Sequence, residues 1–373
     1  MEKLTFELEF ITPAFIGGAF PKEAELKPAS FIGLLRWWWR ALRCEEDTEK
    51  LYTEEAKIFG GHFEDGAIAS RVTLRIIKDN DNLKIIENKT LKDYAGLNYF
   101  YDKHKRTLSG KDSGIGYLLY STMLPNRERS FITEGSKFKL ILLGDSEAIK
   151  HYVASLWCLV FLGGIGTRAR RGGGNMNCLS VEPEFRELSF QPEPQDPVGW
   201  MEGNLIQAKK IVNGGFSEKE LEYSNLCPSI KIAISKTSFK DYKEALNEIG
   251  ILFKQYREKN KHRIFDMGYF GLPIRHSNNK FLTADADKYF RRSSPLILKV
   301  LKIGRSYKWM VVKLNGKFLP DGTELTLITP PKRKGEKPII HKGKSINQKV
   351  AGRMLEEFFD SIRHQAQIKE VSL

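Results

Sequence analysis

The chain has 373 residues, with 60 lysines and arginines against 46 acidic residues and a formal net charge of +14. At 41% hydrophobic residues it holds enough apolar side chain for sizeable cores, which excludes a disordered chain, and its length suits two domains. Such a surplus of positive charge attracts polyanions, nucleic acid first and anionic membrane second, and no run of about 18 apolar residues offers a membrane span.

The opening residues, MEKLTFELEFITP, set acids among alternating apolar side chains, which suits a strand and not a secretory signal. Leu4–Ile11 has the period-two pattern of a half-buried strand. Thr12–Lys27 reads as a loop, and Pro28 opens a helix that runs to about Leu42, since proline at the first helical turn lacks only an N–H that has no partner there. Ser70–Lys78 reads as a second strand, and the irregular stretch over about 79–136 as an insertion. Lys137–Leu143 is a third strand. A helix over about Ser146–Leu162, a Gly–Arg loop from Gly163 to Asn175 and a strand at Met176–Val181 follow. The order is strand, helix, strand, strand, helix, strand, which is the ferredoxin-like arrangement.

Residues 189–203, with Pro192, Pro194 and Pro197, read as the connection between halves. Beyond it come a strand at Ser229–Ser235, a helix over about Lys240–Glu258, strands near Leu296–Ile303 and Trp309–Leu314, and a closing helix over about Asn347–Gln367. The expected fold class is therefore α+β: two ferredoxin-like (RRM-like) βαββαβ domains in tandem with insertions, over residues 1–188 and 204–373. Cys44, Cys158, Cys178 and Cys227 are scattered with no CxxC pair. The expectation is no disulfide framework, no structural zinc, and a reducing cytoplasm.

Two segments carry chemistry. In the first helix Arg36, Arg40 and Arg43 follow i, i+4, i+7 and lie within roughly 60° of one another, without acidic partners one turn away. Guanidinium groups fork onto phosphate, and the adjacent Trp37 and Trp39 offer faces on which unpaired bases stack. In the second segment, six glycines in thirteen positions (163–175) let backbone amides approach a ligand. There Gly163, Gly164, Gly166, Gly172 and Gly173 surround Thr167, Arg168, Arg170, Arg171 and Asn175, a phosphate-binding composition. The Gly164-x-Gly166-x-x-Ala169 run is no dinucleotide fingerprint, because a helix precedes it and a strand follows.

A Gly–Arg loop after the last helix of a ferredoxin-like domain resembles the hallmark of the RAMP superfamily of CRISPR systems. The stretch PASFIGLLRWWWRAL (28–42) is similar to the first helix in the family of first subunits of type III-B Cmr effector complexes, and Arg291-Arg292-Ser293-Ser294-Pro295-Leu296 resembles a motif late in that family. The resemblance implies a noncatalytic RNA-binding subunit without metal or cofactor. Such a subunit contacts guide RNA and target RNA near the 3′ end of the guide, aids target capture, and assembles with other Cmr subunits in the cytoplasm, away from membrane. It also implies RNA contacts by Arg36, Trp37, Arg40 and Arg43, by Arg168, Arg170 and Arg171, and by Arg291 and Arg292.

Two other readings stay open. One is a guide-processing endoribonuclease of the same superfamily, for which His62 is the best-placed general base and His151 a second histidine on a helix. The other is a scaffold whose basic faces meet acidic proteins. Asp285 and Asp287 alternate without further carboxylates, and Lys332-Arg333-Lys334 through Lys342 and Lys344 reads as a solvated loop.

Overall fold

The computed structural model describes residues 1–373 except 19–22, 79–80, 106, 125–127, 216, 218, 276–279, 285–290 and 331–337. Asp285, Asp287 and Lys332–Lys334 fall outside the described residues. The first half contains β1 (Glu2–Phe10), α1 (Pro28–Arg43), α2 (Thr48–Phe59), β2 (Val72–Lys78), the short α3 (Ser113–Leu118), β3 (Lys137–Gly144), α4 (Ser146–Phe161) and β4 (Met176–Glu182). After α5 (Pro197–Ile211) the second half runs β5 (Ser229–Ser235), α6 (Tyr242–Lys259), β6 (Leu296–Ile303), β7 (Ser306–Lys313), β8 (Glu324–Thr329), β9 (Ile339–Ser345), α7 (Gln348–Ser361) and β10 (Ala366–Ser372).

The first sheet is antiparallel in the order β4-β1-β3-β2, and the second in the order β6-β7-β5-β10. Alternation explains the first. Leu4, Phe6, Leu8 and Phe10 of β1 face one side and meet Phe138, Leu140 and Leu142 of β3 on the same core. On that side lie α1 and α4. Unlike α1, α4 is buried almost all round, from Ala148 to Phe161, because it lies between two sheets: Ile232, Ile234, Ile297, Leu301, Met310 and Val312 of the second sheet close the same core. The opposite face of the second sheet, with Leu298, Val300, Trp309 and Val311, packs on α6 and α7. The layers are thus sheet, helices, sheet, helices. This is why β6 reads LILKVLKI with hardly a polar break: a strand buried on both faces loses its alternation. Of its two lysines, Lys302 pairs with Glu9 at 2.8 Å, whereas Lys299 is fully buried and donates to the Val160 carbonyl at 2.6 Å, at the negative end of the α4 dipole. Burial holds that amine well below the usual lysine range.

Five expectations change, the last concerning Lys342 and Lys344. First, α2 was unread, although Asp47 caps it by accepting from the Glu49 and Lys50 amides at 2.9 and 3.1 Å, a local start signal. Second, α5 begins inside the stretch read as a connection, with Asp196 as its cap and Pro197 at the first turn. Third, the closing helix stops at Ser361, and Ala366–Ser372 is a strand paired along β5, where tertiary pairing overrides the helical propensity of Gln365–Glu370. Fourth, a disulfide joins Cys44, the left-handed residue that ends α1, to Cys227, 183 positions on, while Cys158 and Cys178 are free and buried. Sequence spacing says nothing about such a pair, because only the stacking of the two halves makes them neighbours. Lys342 and Lys344 lie on β9, which is exposed along its whole length, and not in a loop. Among the described residues no helix is long and apolar enough to cross a membrane.

Candidate nucleic-acid interface

Pro28 starts α1 and two arginines, Arg40 and Arg43, end it, where they complement the helix dipole. The predicted arginine row exists, but it is not free. Glu55 of α2, with its side chain 2% exposed, accepts from both Arg36 Nε and Arg40 Nη1, the latter at 2.7 Å. Arg36 also donates to the Gly60 carbonyl at 3.1 Å. Glu54 takes Arg43 at 2.8 Å. The acidic partners absent one turn away on α1 therefore come from the next helix. Arg40 remains the most open of the three, and Arg43 the least.

Trp39 is a correction. It is 1% exposed, edge-on to Phe59, and its Nε1 donates to His151 Nδ1 at 3.1 Å, so it is a core residue and not a stacking platform. Helical geometry turns position 39 toward α4, whose His151 supplies the acceptor that a buried indole requires. Burial, and then the nearby Arg43 charge, push His151 down to about 4 from an ordinary 6.5. The folded state thus prefers neutral His151, and the unfolded chain binds the extra proton between pH 6.5 and 4. Stability is expected to fall as pH drops through that window, by up to about 1.4 kcal/mol per pH unit from this group. Urea unfolding at several pH values, compared with His151→Gln, checks it: the variant should lose that part of the slope.

The Gly–Arg loop is clasped between the halves. Thr167 N donates to the Phe15 carbonyl at 2.8 Å and Gly174 N to Pro13 at 2.9 Å, while Leu298 N of β6 donates to the Arg170 carbonyl at 3.1 Å. Asn175 is fully buried. Its amide donates to Thr12 Oγ1 at 2.8 Å, and its Oδ1 accepts from Val300 N at 2.9 Å. Gly163, Gly164, Gly172 and Gly173 are likewise buried, so their missing side chains serve protein packing and not approach to a ligand. Gly172 shows why: it has φ +85°, and a Cβ there would lie 2.3 Å from Leu246 of α6. Gly166 alone of the predicted glycines is exposed, with φ +89°.

The loop arginines also differ from the expectation of free surface cations. Arg171 donates to the Arg170, Leu296 and Phe270 carbonyls at 3.0, 2.9 and 2.9 Å. Arg170 donates to the Ser294 carbonyl, and its guanidinium lies 5.2 Å from the centroid of the Trp37 ring. Arg292 donates to the carbonyls of Phe318 and Lys317 and reaches Ser224 Oγ at 3.4 Å. Arg168 donates to Ser121 Oγ at 2.8 Å. Arg291 is exposed and pairs with no carboxylate among the described residues. No described carboxylate pairs with Arg168, Arg170, Arg171 or Arg292 either. Burial and Arg292 bring Arg170 down to about 10, and burial with Arg257 and Arg168 brings Arg171 to about 9. Among the described residues, positive charge is concentrated here without a matching negative one.

Helix and loop do meet. Trp37 lies against Arg170 and also lines a cleft of about 350 Å³ with Arg40, Thr48, Leu51, Tyr52, Glu55, Tyr223 and Ser224. Tyr223 and Ser224 come from the second half and were not anticipated; no local signal marks them, since only the disulfide-linked packing of 221–228 against α1 brings them in. Tyr223 OH donates to the Glu45 carbonyl at 2.8 Å, which fixes that wall. His62 sits exposed on a hairpin, where its carbonyl accepts from Tyr52 OH at 2.7 Å. Among the described residues no group of three potential metal ligands comes together.

The sheet, its two helices and the Gly–Arg loop define the class: residues 7–177 match the model of the RAMP superfamily. Two curated relatives, both from Pyrococcus furiosus, are similar to this chain. The "CRISPR system Cmr subunit Cmr1-1" is 28% identical over 329 residues, covering 83% of this chain and 86% of that protein. The "CRISPR system Cmr subunit Cmr1-2" is 30% identical over 191 residues, covering 47% of this chain and 95% of that protein. The chain belongs to this Cmr1 family of CRISPR Cmr subunits. Solved structures agree on the fold. The crystal structure of apo Cmr1 from Pyrococcus furiosus superposes with a TM-score of 0.63 at 21% identity, over 100% of this chain and 99% of that one. A chain in the type III-B Cmr-beta complex bound to cognate target RNA and AMPPnP, in the presence of ssDNA, does so with a TM-score of 0.53 at 15% identity, over 96% and 99%.

Proposed function

We propose that this chain is a noncatalytic RNA-binding subunit of a type III-B CRISPR Cmr effector complex, working in the cytoplasm. It is built from two ferredoxin-like units, residues 1–188 and 204–373, each with the strand order fourth–first–third–second. Its partners are guide RNA, target RNA and the other Cmr subunits, and its contact lies near the 3′ end of the guide. The observation that carries the reading is the Trp37–Arg170 stack, where α1 and the Gly–Arg loop join beside a cleft of aromatic rings and the half-open Arg40. An unpaired base can enter such a cleft and stack, while arginines that lack carboxylate partners draw the backbone. Sequence selection stays with guide pairing, so the protein needs charge and ring surface and not base-specific hydrogen bonds.

Single-stranded RNA should bind the full chain with an affinity that falls steeply with salt. Trp37→Ala should weaken it about tenfold, since stacking on one ring contributes about 1–3 kcal/mol. Fluorescence anisotropy at several salt concentrations measures both. Binding that ignores salt, or discrete cleavage of repeat RNA that disappears in His62→Ala, would overturn the reading.

A further inference from the structure

The inserted segment ahead of β3 is not a free excursion. Its α3 lies so close on α6 that a Cβ on Gly114 would come within 2.1 Å of the Asn247 carbonyl, and one on Gly250 within 2.4 Å of the Gly114 carbonyl. Asn247 Oδ1 accepts from the Gly114 and Ile115 amides at 3.0 and 3.3 Å, and Asn247 Nδ2 donates to the Lys111 carbonyl at 2.9 Å. Lys254 Nζ donates to the Leu108 carbonyl at 2.6 Å and to Ser113 Oγ at 3.2 Å. Part of the first half is thus fastened to a helix of the second, and the Gly–Arg loop passes beside the seam.

Three chain segments bring arginine to that seam. Arg168 comes from the loop, Arg257 from α6 and Arg129 from the insertion. Arg168 holds φ +65°, a left-handed conformation that non-glycine residues rarely adopt, in a loop with glycine at six other positions. Its Nε donates to Ser121 Oγ, and its Nη atoms donate to nothing among the described residues. Arg129 Nη1 reaches Thr167 Oγ1 at 3.4 Å. Arg257 and Arg171 flank the Phe253 ring at 5.7 and 5.0 Å from its centroid. No described carboxylate pairs with Arg129, Arg168, Arg171 or Arg257, whereas every arginine of α1 has one. The charges of Arg168 and Arg257 reach Arg171, and among the described residues Arg168 also feels Arg257 and the insertion's Tyr117 and Tyr120. Among the described residues these arginines lack an anionic partner, as an anion site does before its ligand binds.

We infer that Arg129, Arg168 and Arg257 form a second phosphate subsite, separate in all its residues from the Trp37 cleft, that grips a phosphodiester of the same single-stranded RNA. The inference rests on the RNA-binding reading and extends it: the insertion becomes one jaw of the binding surface, and α6 of the other half becomes the second. Phosphate suits the site because the loop, α6 and the insertion each bring a forked guanidinium donor to the seam, with no described carboxylate to satisfy it. Tyr120, 44% exposed on the insertion, adds an open ring where a neighbouring base can rest.

The test uses the full chain and a fluorescein-labelled single-stranded oligouridylate of about 20 nucleotides, long enough to cover several OB-fold-sized sites. Arg129→Ala with Arg257→Ala should flatten the dependence of log affinity on log salt by about 0.7, the contribution of one single-strand phosphate contact. Arg353→Ala, on an exposed face of α7, should leave the slope as it was. Both arginines of the double variant are at least partly exposed, and a thermal midpoint close to wild type verifies its fold. An unchanged slope in the double variant, with Trp37→Ala still weakening binding, would overturn the subsite and leave the RNA reading standing. Failure of the wild-type chain to bind the oligomer would overturn the RNA reading, and the subsite with it. If polyglutamate binding drops in the double variant while RNA binding does not, the seam takes an acidic protein, and the inference is wrong.

Discussion

Arg171→Ala should lower the unfolding free energy by about 3 kcal/mol or more. The side chain satisfies three carbonyls, those of Arg170, Leu296 and Phe270, and covers the Phe253 ring. Each buried carbonyl left without a donor costs about 1–3 kcal/mol. Two of those carbonyls, on Leu296 and Phe270, belong to the second half, so the guanidinium is a cross-brace between halves. Arg171→Lys should recover only part of the loss, because one ammonium on a flexible stem does not reproduce a planar fork that reaches three acceptors. Denaturant titration followed by circular dichroism gives both values. An alanine variant within about 1 kcal/mol of wild type, less than one unsatisfied buried carbonyl, would show that the brace is dispensable.

Glu55→Gln should move stability and polyanion binding in opposite directions. Glu55 is nearly inaccessible and holds Arg36 and Arg40 together. Removing one partner of a buried ion pair costs about 3–5 kcal/mol, and here two cations lose their shared anion. The same change releases the half-open Arg40 toward the Trp37 cleft, so the salt dependence of RNA binding should steepen by about 0.7 for each guanidinium that reaches a phosphate. Unfolding and anisotropy titrations on the same protein read the two effects. A variant that loses both stability and affinity would mean that Glu55 orients these arginines for RNA instead of competing with it.

The first half was largely legible. β1, α1, β3, α4 and β4 declare themselves through period-two and period-3.6 patterns, and Pro28 and the loop glycines punctuate them, because these signals act between residues a few positions apart. β5, α6 and β6 were read in the same way. The helix and the loop, singled out separately for their arginines, are neighbours in the fold: the Arg170 guanidinium lies over the Trp37 ring. The paired state of the row was not legible. Glu54 and Glu55 lie on a separate helix, and whether two helices present their charges to one another depends on how they pack. Asp47 with Glu49 in the first turn was the available sign of α2, and the pairing of the arginines follows once that helix is placed against α1.

By itself, then, the amino-acid order determined the strand and helix periods, the basic balance, the glycine-rich turn and the motifs of the RAMP superfamily. Tertiary structure alone decided that one core lies between two sheets, that Cys44 meets Cys227, that Ala366–Ser372 leaves a helix to join β5, and which arginines are neutralised. Periodicity and capping are local and nearly independent of the rest of the chain. Burial, counter-charge and strand partner depend on surfaces far apart in sequence, and they acquire definite values only when those surfaces close on each other.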